Sequence, residues 1–174
     1  MIAYLIVALV AVQRLGEVAI AQRNTRALIA KGAVEVAPGH YPLLILLHAA
    51  WLAAIVVELP KPAPVHWLPL AAYVLLQGLR VWTVMTLGPY WTTRIITLPG
   101  APLVTRGPYR FLRHPNYWVV VGEIALLPLV FGEIRVAILF SLLNAALLGW
   151  RIREENAALA GRRRLHAPPA VEGH

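Results

Sequence analysis

The 174-residue chain contains no cysteine and few charged residues. Without cysteine it can form neither disulfides nor thiolate metal sites. Charged residues make up 14% of the chain, against about 25% in soluble domains, whereas hydrophobic residues make up 59%. Such a composition leaves too few polar side chains to cover a soluble surface, and it predicts an integral membrane protein.

Two further classes of site are not expected. The six histidines are scattered, and none pairs with another histidine or a carboxylate at metal-ligand spacing, so no metal site is predicted. A net charge of +8 would suggest a nucleic-acid partner in a soluble protein. Here the basic residues stand in short loops between apolar runs, which predicts contacts with the lipid bilayer and its anionic headgroups and no nucleic acid.

Five apolar stretches predict five transmembrane helices, at about residues 2–21, 43–59, 67–87, 117–131 and 134–150. The first three have the roughly 17–20 residues that a span requires. The last two are short and are joined only by Gly132 and Glu133, which predicts a tight helical hairpin. The expected fold is therefore an all-α integral membrane protein with about five transmembrane helices, the last two forming a short hairpin.

The positions of lysine and arginine predict the orientation. Twelve of the sixteen lie after the first span, after the third span or in the C-terminal segment, and five spans put these three regions on one side. The opposite side carries only Lys61 and Arg135. The positive-inside rule then places the N-terminus outside and the long loop and C-terminus in the cytoplasm.

The chain divides into three parts. Residues 1–87 are predicted to form a three-span membrane region. Residues 88–160 begin with a loop rich in proline and glycine, and long loops of this kind are commonly functional. Residues 161–174 are basic and then rich in proline and alanine, and we expect them to form a disordered tail.

Charged residues inside the predicted spans allow two interpretations. Arg14 and Glu17 lie three residues apart and so share a helix face. They either line a site or form an ion pair that fixes helix packing. The same question applies to Gln77 and Arg80 on the third span, although Arg80 could also extend its charged group towards the headgroups.

A second polar face is predicted at the end of the last span. Asn144, Leu148, Arg151 and Glu155 follow one another at spacings of four, three and four residues, which aligns them on one side of a helix. Arg151 and Glu155 are therefore neighbours at the cytoplasmic mouth. They are either a functional pair or an ordinary surface ion pair.

The densest cluster of polar and aromatic residues is LVTRGPYRFLRHPNY, residues 103–117, at the mouth of the fourth span. Tyrosine rings stack on bases or face cations, and arginine suits carboxylates and phosphates. The segment thus predicts a pocket for an aromatic, charged ligand. The alternative is a belt of tyrosine, tryptophan and arginine at the headgroups.

This string, the hairpin after it and RIREE at residues 151–155 resemble the isoprenylcysteine carboxyl methyltransferase family, over about residues 88 to 160. The RHPNY string alone is shared with membrane sterol reductases, whereas the ordered set of motifs is more specific. RNTRALIAKGAVE at residues 23–35 and HYPLL at residues 40–44 look like the bacterial branch often paired with type III polyketide synthases. That resemblance implies a bacterial inner-membrane protein.

The resemblance implies S-adenosyl-L-methionine as cofactor and assigns roles to residues of this chain. Leu103 and Val104 would contact the cofactor through their backbone, and Glu155 would close its site. Arg151 would face the reacting group of the substrate. The remaining cofactor-binding residues would be Tyr109, His114, Pro115, Asn116 and Tyr117. Arg94 lies where the family has further cofactor contacts.

The implied reaction is methylation of an oxygen on a lipophilic, membrane-embedded acceptor, such as an isoprenylcysteine, an alkylpyrone or an alkylresorcinol. For a carboxylate acceptor Arg151 would orient the nucleophile, and for a phenol or enol Glu155 or His114 would be the candidate base. The family's extended C-terminal region is largely missing here, and no Gly-x-Gly-x-x-Gly follows a strand as in soluble nucleotide-binding folds. The alternatives are an NADPH-dependent membrane reductase related to sterol reductases and a non-catalytic membrane protein.

Overall fold

The protein is a bundle of five helices. Its computed structural model describes residues 1–101 and 104–165 and, within them, all side chains except those of residues 40 and 158–165. The helices are α1 (Ile2–Ile29), α2 (His40–Glu58), α3 (Trp67–Leu87), α4 (Pro115–Val130) and α5 (Ile134–Leu165). The predicted all-α fold with about five apolar helices is confirmed.

Four of the helices are long and apolar enough to cross a membrane, over Ile2–Ile29, Tyr41–Glu58, Trp67–Tyr90 and Ile134–Ala157. The 16 residues of α4 form a shorter apolar helix of about 24 Å, less than the roughly 30 Å of a bilayer core. The last helix is longer than the predicted stretch 134–150, because the charged residues after Trp150 continue it to Leu165. It takes in the start of the predicted tail 161–174, and residues 166–174 lie outside the described part of the chain.

The predicted hairpin joins α4 to α5 through a turn at Phe131–Glu133. Gly132 has φ +79°, a conformation that is strained for residues with a side chain, and its N–H donates to Leu129 O at 3.2 Å. At the other end of α4, Pro115 is the first helical residue, where the missing N–H of proline has no cost. Local sequence therefore fixes both ends of α4.

Two short strands were not predicted. Val34–Val36 (β1) pairs antiparallel with Ile95–Thr97 (β2), with Val34 opposite Thr97 and Val36 opposite Ile95. The pair links the loop after α1 to the loop after α3. It therefore joins the N-terminal membrane region to the long loop that contains the family motifs.

The bundle is packed through the middle and apolar on the outside. Trp51, Ile55 and Phe131 are fully buried at its centre. Leu68 is 83% exposed and Val57 79% exposed on the outer faces of their helices. Large apolar side chains spread over the whole outer surface of a bundle are typical of lipid-facing helices.

Glycine allows the long loop to approach α3 closely. A Cβ on Gly107, which has φ +58°, would lie 2.5 Å from Oγ1 of Thr86. The short 3-10 turn Gly107–Arg110 can therefore pack against the end of α3 only without a side chain at that position. This contact places Tyr109 next to the start of α4.

Candidate active site

A cavity of about 380 Å³ lies at the end of the bundle that carries the long loop, and we call it the loop-end cavity. The ends of α1, α3 and α5 and the start of α4 surround it. Seven of the predicted site residues line it: Val104, Tyr109, His114, Asn116, Tyr117, Arg151 and Glu155. Pro115 is instead buried as the first residue of α4, and Leu103 lies outside the described residues.

Tyr117 connects the two predicted catalytic residues. Its hydroxyl donates to Glu155 Oε2 and accepts a hydrogen bond from Arg151 Nε at 2.8 Å. Arg151 also donates through Nη1 to Thr93 O at 2.7 Å. The tyrosine of α4 and the carbonyl of the long loop therefore hold the guanidinium in place. Arg151 and Glu155 are linked here through the hydroxyl of a third residue, unlike an ordinary surface ion pair on one helix.

His114 completes the wall beside this group. Its ring stacks on Tyr117 with centroids 5.0 Å apart and an angle of 14° between the planes. Its Nδ1 lies 3.8 Å from Glu155 Oε1, so a charged imidazole would form an ion pair with that carboxylate. The histidine and the carboxylate are therefore neighbours in the wall of this cavity.

Tyr109 faces the same cavity from the 3-10 turn. Burial raises the pKa of its hydroxyl well above the ordinary value, and the negative charge of Glu155 adds to the effect. The phenol therefore stays protonated at neutral pH. It can stack or donate a hydrogen bond, but it cannot serve as a base.

Arg94 also lines the cavity, and its position depends on the strand pair. Its Nη1 donates to both carboxylate oxygens of Glu35, at 3.0 and 2.8 Å, and its Cζ lies 4.4 Å from the ring centroid of Tyr41. These contacts hold the guanidinium between the N-terminal region and the long loop. Glu35 and Tyr41 were not among the predicted site residues, because the three alternating residues VEV are too few to indicate a strand.

A second cavity, of about 330 Å³, lies deeper between the helices, and we call it the bundle cavity. Its wall is mostly apolar, with residues such as Leu15, Ile45 and Leu52. The predicted face of α5 faces it, since Asn144, Leu148 and Arg151 all line this cavity. The residues common to both cavities are Trp91, Thr92, Asn116, Tyr117 and Arg151.

The charged residues of the membrane spans meet in one network beside the bundle cavity. Arg14 donates to Glu17 at 3.2 Å and to Glu123 at 2.7 Å. Arg80 bonds the same two carboxylates, with 2.8 Å to Glu123. Arg80 is 5% exposed, so it points inward and does not extend towards the headgroups. The charges of two arginines and two glutamates, which come from three helices, therefore balance.

Asn24 is a further contact that the sequence did not indicate. Its side-chain amide donates to Gly88 O at 3.1 Å and to Trp91 O at 2.9 Å. Trp91 is 3% exposed and lines both cavities. Asn24 thus holds α1 against the segment that separates the cavities. Its partners are more than 60 positions away in the sequence.

Together, these features define a class of protein. A helical membrane bundle carries a polar, aromatic cavity at one end and an apolar cavity inside, and the two share a wall that contains a fixed arginine. Such an arrangement suits an integral membrane enzyme that brings a water-soluble ligand to a lipophilic one.

Comparison with known families agrees with this class. The model of the isoprenylcysteine carboxyl methyltransferase (ICMT) family matches residues 67–161, which include α3, α4 and most of α5. The chain belongs to this family, and it is therefore a membrane methyltransferase. The match begins earlier than the motifs at residues 88 to 160 indicated, because it includes α3.

Similar proteins span nearly the whole chain. The uncharacterized protein YpbQ of Bacillus subtilis (strain 168) is 40% identical over 160 residues, which cover 90% of this chain and 95% of that protein. An uncharacterized protein of Haemophilus influenzae is 26% identical over 152 residues, 84% of this chain and 88% of the relative. No solved structure matches the chain.

Proposed function

We propose that the protein is an S-adenosyl-L-methionine-dependent methyltransferase that methylates an oxygen, either a carboxylate or a phenol or enol, of a lipophilic acceptor drawn from the membrane. An isoprenylcysteine, an alkylpyrone and an alkylresorcinol are acceptors of this kind. The cofactor would bind in the loop-end cavity and the acceptor in the bundle cavity.

The main observation in support of this proposal is that the loop-end cavity and the bundle cavity share a wall. Arg151 and Tyr117 line both cavities, and Arg151 is fixed there by Tyr117 and by Thr93 O. A methyl transfer between two bound molecules is mostly a problem of positioning, because the reacting atoms must be nearly collinear. A rigid group at the boundary between a polar and an apolar cavity meets that requirement.

The residues of the loop-end cavity suit the cofactor. S-adenosyl-L-methionine supplies an electrophilic methyl group on a positively charged sulfonium. Tyr109 and Tyr117 offer aromatic faces to a cation, and Glu155 offers a carboxylate. Asn116 Oδ1 is buried and has no hydrogen-bond partner among the described residues, so it can accept a bond from an amino group. The volume of about 380 Å³ is within the usual range for ligand pockets, about 300–1,000 Å³.

The roles of the residues would depend on the chemical class of the acceptor. Arg151 would pair with a carboxylate and orient one oxygen, and a carboxylate needs no base. A phenol or enol would lose its proton to Glu155 or His114, which lie beside each other in the loop-end cavity, next to the shared residue Tyr117. In both cases Tyr117 positions Arg151 and Glu155 relative to each other.

Calorimetric titration of the purified protein in detergent with S-adenosylhomocysteine tests the cofactor. We expect saturable binding in the wild type and its loss in His114→Ala, with binding retained in Arg153→Ala, whose exposed side chain lies on the same helix as Arg151. Binding of NADPH in place of S-adenosylhomocysteine would favour the reductase alternative. Binding of neither would contradict the proposal and favour a non-catalytic membrane protein.

The orientation is part of the proposal. With the N-terminus outside and the site facing the cytoplasm of a bacterial cell, the soluble cofactor would arrive from the cytoplasm and the acceptor from the bilayer. The chain has no cysteine, so a single introduced cysteine is a unique label. In intact cells, an impermeant thiol reagent should label Lys61→Cys and should not label Arg113→Cys. The reverse pattern would contradict the orientation.

A further inference from the structure

The bundle cavity is polar at two levels, and the apolar wall lies between them. At the first level are Arg151 and Tyr117, next to the loop-end cavity. Leu148 on α5 and Val120 on α4 lie one helical turn deeper in the bundle. Beyond them the wall becomes polar again, and its polar and charged residues are Arg14, Glu17, His48, Arg80 and Asn144. A cavity that held only a hydrocarbon chain would not need this second polar level.

The distance between the two levels follows from the helices. Asn144 precedes Arg151 by seven residues on α5, which corresponds to about 10 Å at 1.5 Å per residue. On α4, six residues separate Tyr117 from Glu123, which bonds Arg14, and they correspond to about 9 Å. Two helices thus give the same spacing independently.

Two polar atoms at the second level have no hydrogen-bond partner among the residues that the structure describes. Arg14 Nε is a buried donor, and Asn144 Oδ1 is a buried acceptor on a side chain that is 1% exposed. A buried polar atom without a partner costs about 1–3 kcal/mol. Both residues line the cavity, so a polar group of a bound molecule could satisfy them after a small adjustment of the two side chains.

His48 adds a third polar group. Its Nδ1 lies 2.8 Å from Leu44 O, and because a carbonyl can only accept, Nδ1 carries the proton. This leaves Nε2 as the ring atom that can accept a hydrogen bond from a molecule in the cavity. Donors and acceptors are therefore both present at this level.

The charges at this level favour a neutral partner. Arg14 and Arg80 are balanced by Glu17 and Glu123, so the network has no net charge to pair with an anion or a cation. A second ion in this part of the bundle would be desolvated without compensation. A hydroxyl group can accept from Arg14 Nε and donate to Asn144 or His48, which matches the available atoms.

We propose that Arg14, His48 and Asn144 form a binding subsite for a hydroxyl group on the chain of the acceptor, about 10 Å from the oxygen that is methylated. The inference rests on the proposed function, because it takes the bundle cavity as the acceptor site. It narrows the acceptor to a lipophilic molecule with two polar groups separated by about eight bonds of chain, at about 1.2 Å per bond.

Three fatty acids test the subsite by binding alone: hexadecanoic acid, 9-hydroxyhexadecanoic acid and 3-hydroxyhexadecanoic acid. Each is titrated calorimetrically into the detergent-solubilised wild type and variants. The measured quantity is the ratio of Kd for the plain acid to Kd for the hydroxy acid. Since partition into micelles is common to all proteins, a change in this ratio between variants reports on the cavity.

We expect the ratio for the 9-hydroxy acid to be about 3–10 times higher in the wild type than in Asn144→Leu, in line with one hydrogen bond. His48→Phe, which keeps the ring, should also lower it. Leu52→Met keeps the volume of an apolar part of the wall and should leave the ratio unchanged. The 3-hydroxy acid should show no difference between proteins.

Equal ratios in the wild type, Asn144→Leu and His48→Phe would overturn the subsite, as would an equal gain for the 3-hydroxy acid. Titration with S-adenosylhomocysteine separates the two proposals. Binding of that nucleoside together with unchanged ratios would reject the subsite alone. A ratio that depends on Asn144 without nucleoside binding would support the subsite and reject S-adenosyl-L-methionine as the cofactor of the loop-end cavity.

Discussion

The protein contains two groups of arginine and glutamate that differ in how their charges are satisfied. In the bundle, Arg14, Arg80, Glu17 and Glu123 bond one another directly and neutralise one another. At the loop end, Arg151 and Glu155 are linked through the hydroxyl of Tyr117 beside an open cavity. In the first group the charges are satisfied within the network, although Arg14 also lines the bundle cavity, whereas in the second the linked arginine and glutamate face an open cavity.

The loop-end group can be tested first, because its loss should have the largest effect. We expect Arg151→Ala and Glu155→Gln each to reduce methyl transfer at least about 1,000-fold, since Arg151 lies in the wall that the two cavities share and Glu155 is linked to it through Tyr117. The measurement is transfer of a labelled methyl group to membrane lipids, together with thermal unfolding in detergent. Both variants should unfold within about 2 °C of the wild type, as a purely functional role requires.

Arg153→Ala is the matched control, since Arg153 is exposed on the same helix and should keep full activity. Near-normal methyl transfer in both site variants would show that the Tyr117-linked group is only structural. The difference between the two groups of charges would then disappear.

The bundle network should show the opposite behaviour. Glu123→Gln leaves two buried arginines with a single carboxylate, and breaking a buried pair in this way costs about 3–5 kcal/mol. We expect a large drop in the thermal unfolding temperature in detergent. Glu154→Gln removes a carboxylate that accepts a hydrogen bond from the exposed Trp150 Nε1, and it should change stability by less than about 1 kcal/mol. A stable but inactive Glu123→Gln would assign the network to catalysis.

Glu35 tests whether the strand pair contributes to the loop-end cavity. Glu35→Gln removes the carboxylate that holds Arg94 at the cavity wall. We expect a 3–10-fold weaker Kd for S-adenosylhomocysteine, equivalent to about 0.7–1.4 kcal/mol, because Arg94 would be less well positioned. Calorimetric titration gives the value. The companion variant Glu154→Gln should leave it unchanged, and an unaltered Kd in Glu35→Gln would limit the strand pair to a structural role.

The two groups of charges also differ in how well the sequence predicts them. Arg151 and Glu155 stand four residues apart on one helix, and the 103–117 motif is continuous, so spacing alone places most of these residues together. The network depends on Arg14, Arg80 and Glu123, which lie on three helices more than 40 residues apart. Helical periodicity shows which face each residue occupies, but only the packing of the helices shows that the faces meet.

The strand pair and the C-terminal end of α5 are also features that local sequence does not predict. Residues 34–36 and 95–97 are too short to stand out as strands, and each needs the other to form. The fifth apolar stretch ends near Trp150, yet the helix continues because Arg, Glu and Ala are good helix formers outside the bilayer. Hydropathy therefore locates the spans, and it does not determine where a helix ends in water.

The smallest expected effect concerns another acidic residue, which lies in neither group. Glu133 stands in the α4–α5 turn, 7% exposed, and neither of its carboxylate oxygens has a hydrogen-bond partner within the described residues. Burial, together with the negative charge of Glu58, raises the pKa of Glu133 to about 7, above the ordinary value of 4.5. Since the folded state binds this proton more tightly than the unfolded state, the stability that the protonated Glu133 contributes should be lost as pH rises from 4.5 to 7.

Glu133→Gln keeps the shape of the side chain and removes the titration. We expect it to raise the unfolding temperature at pH 8 by about 2–4 °C, equivalent to roughly 1 kcal/mol for a chain of this size, and to have little effect at pH 4.5. Thermal unfolding in detergent at both pH values measures the difference. Glu154→Gln, on the part of α5 next to the loop-end cavity, is the control for the substitution itself. If Glu133→Gln had the same effect on the unfolding temperature at both pH values, the Glu133 carboxylate would be solvated, and this turn would differ from the balanced network in the bundle by its access to water.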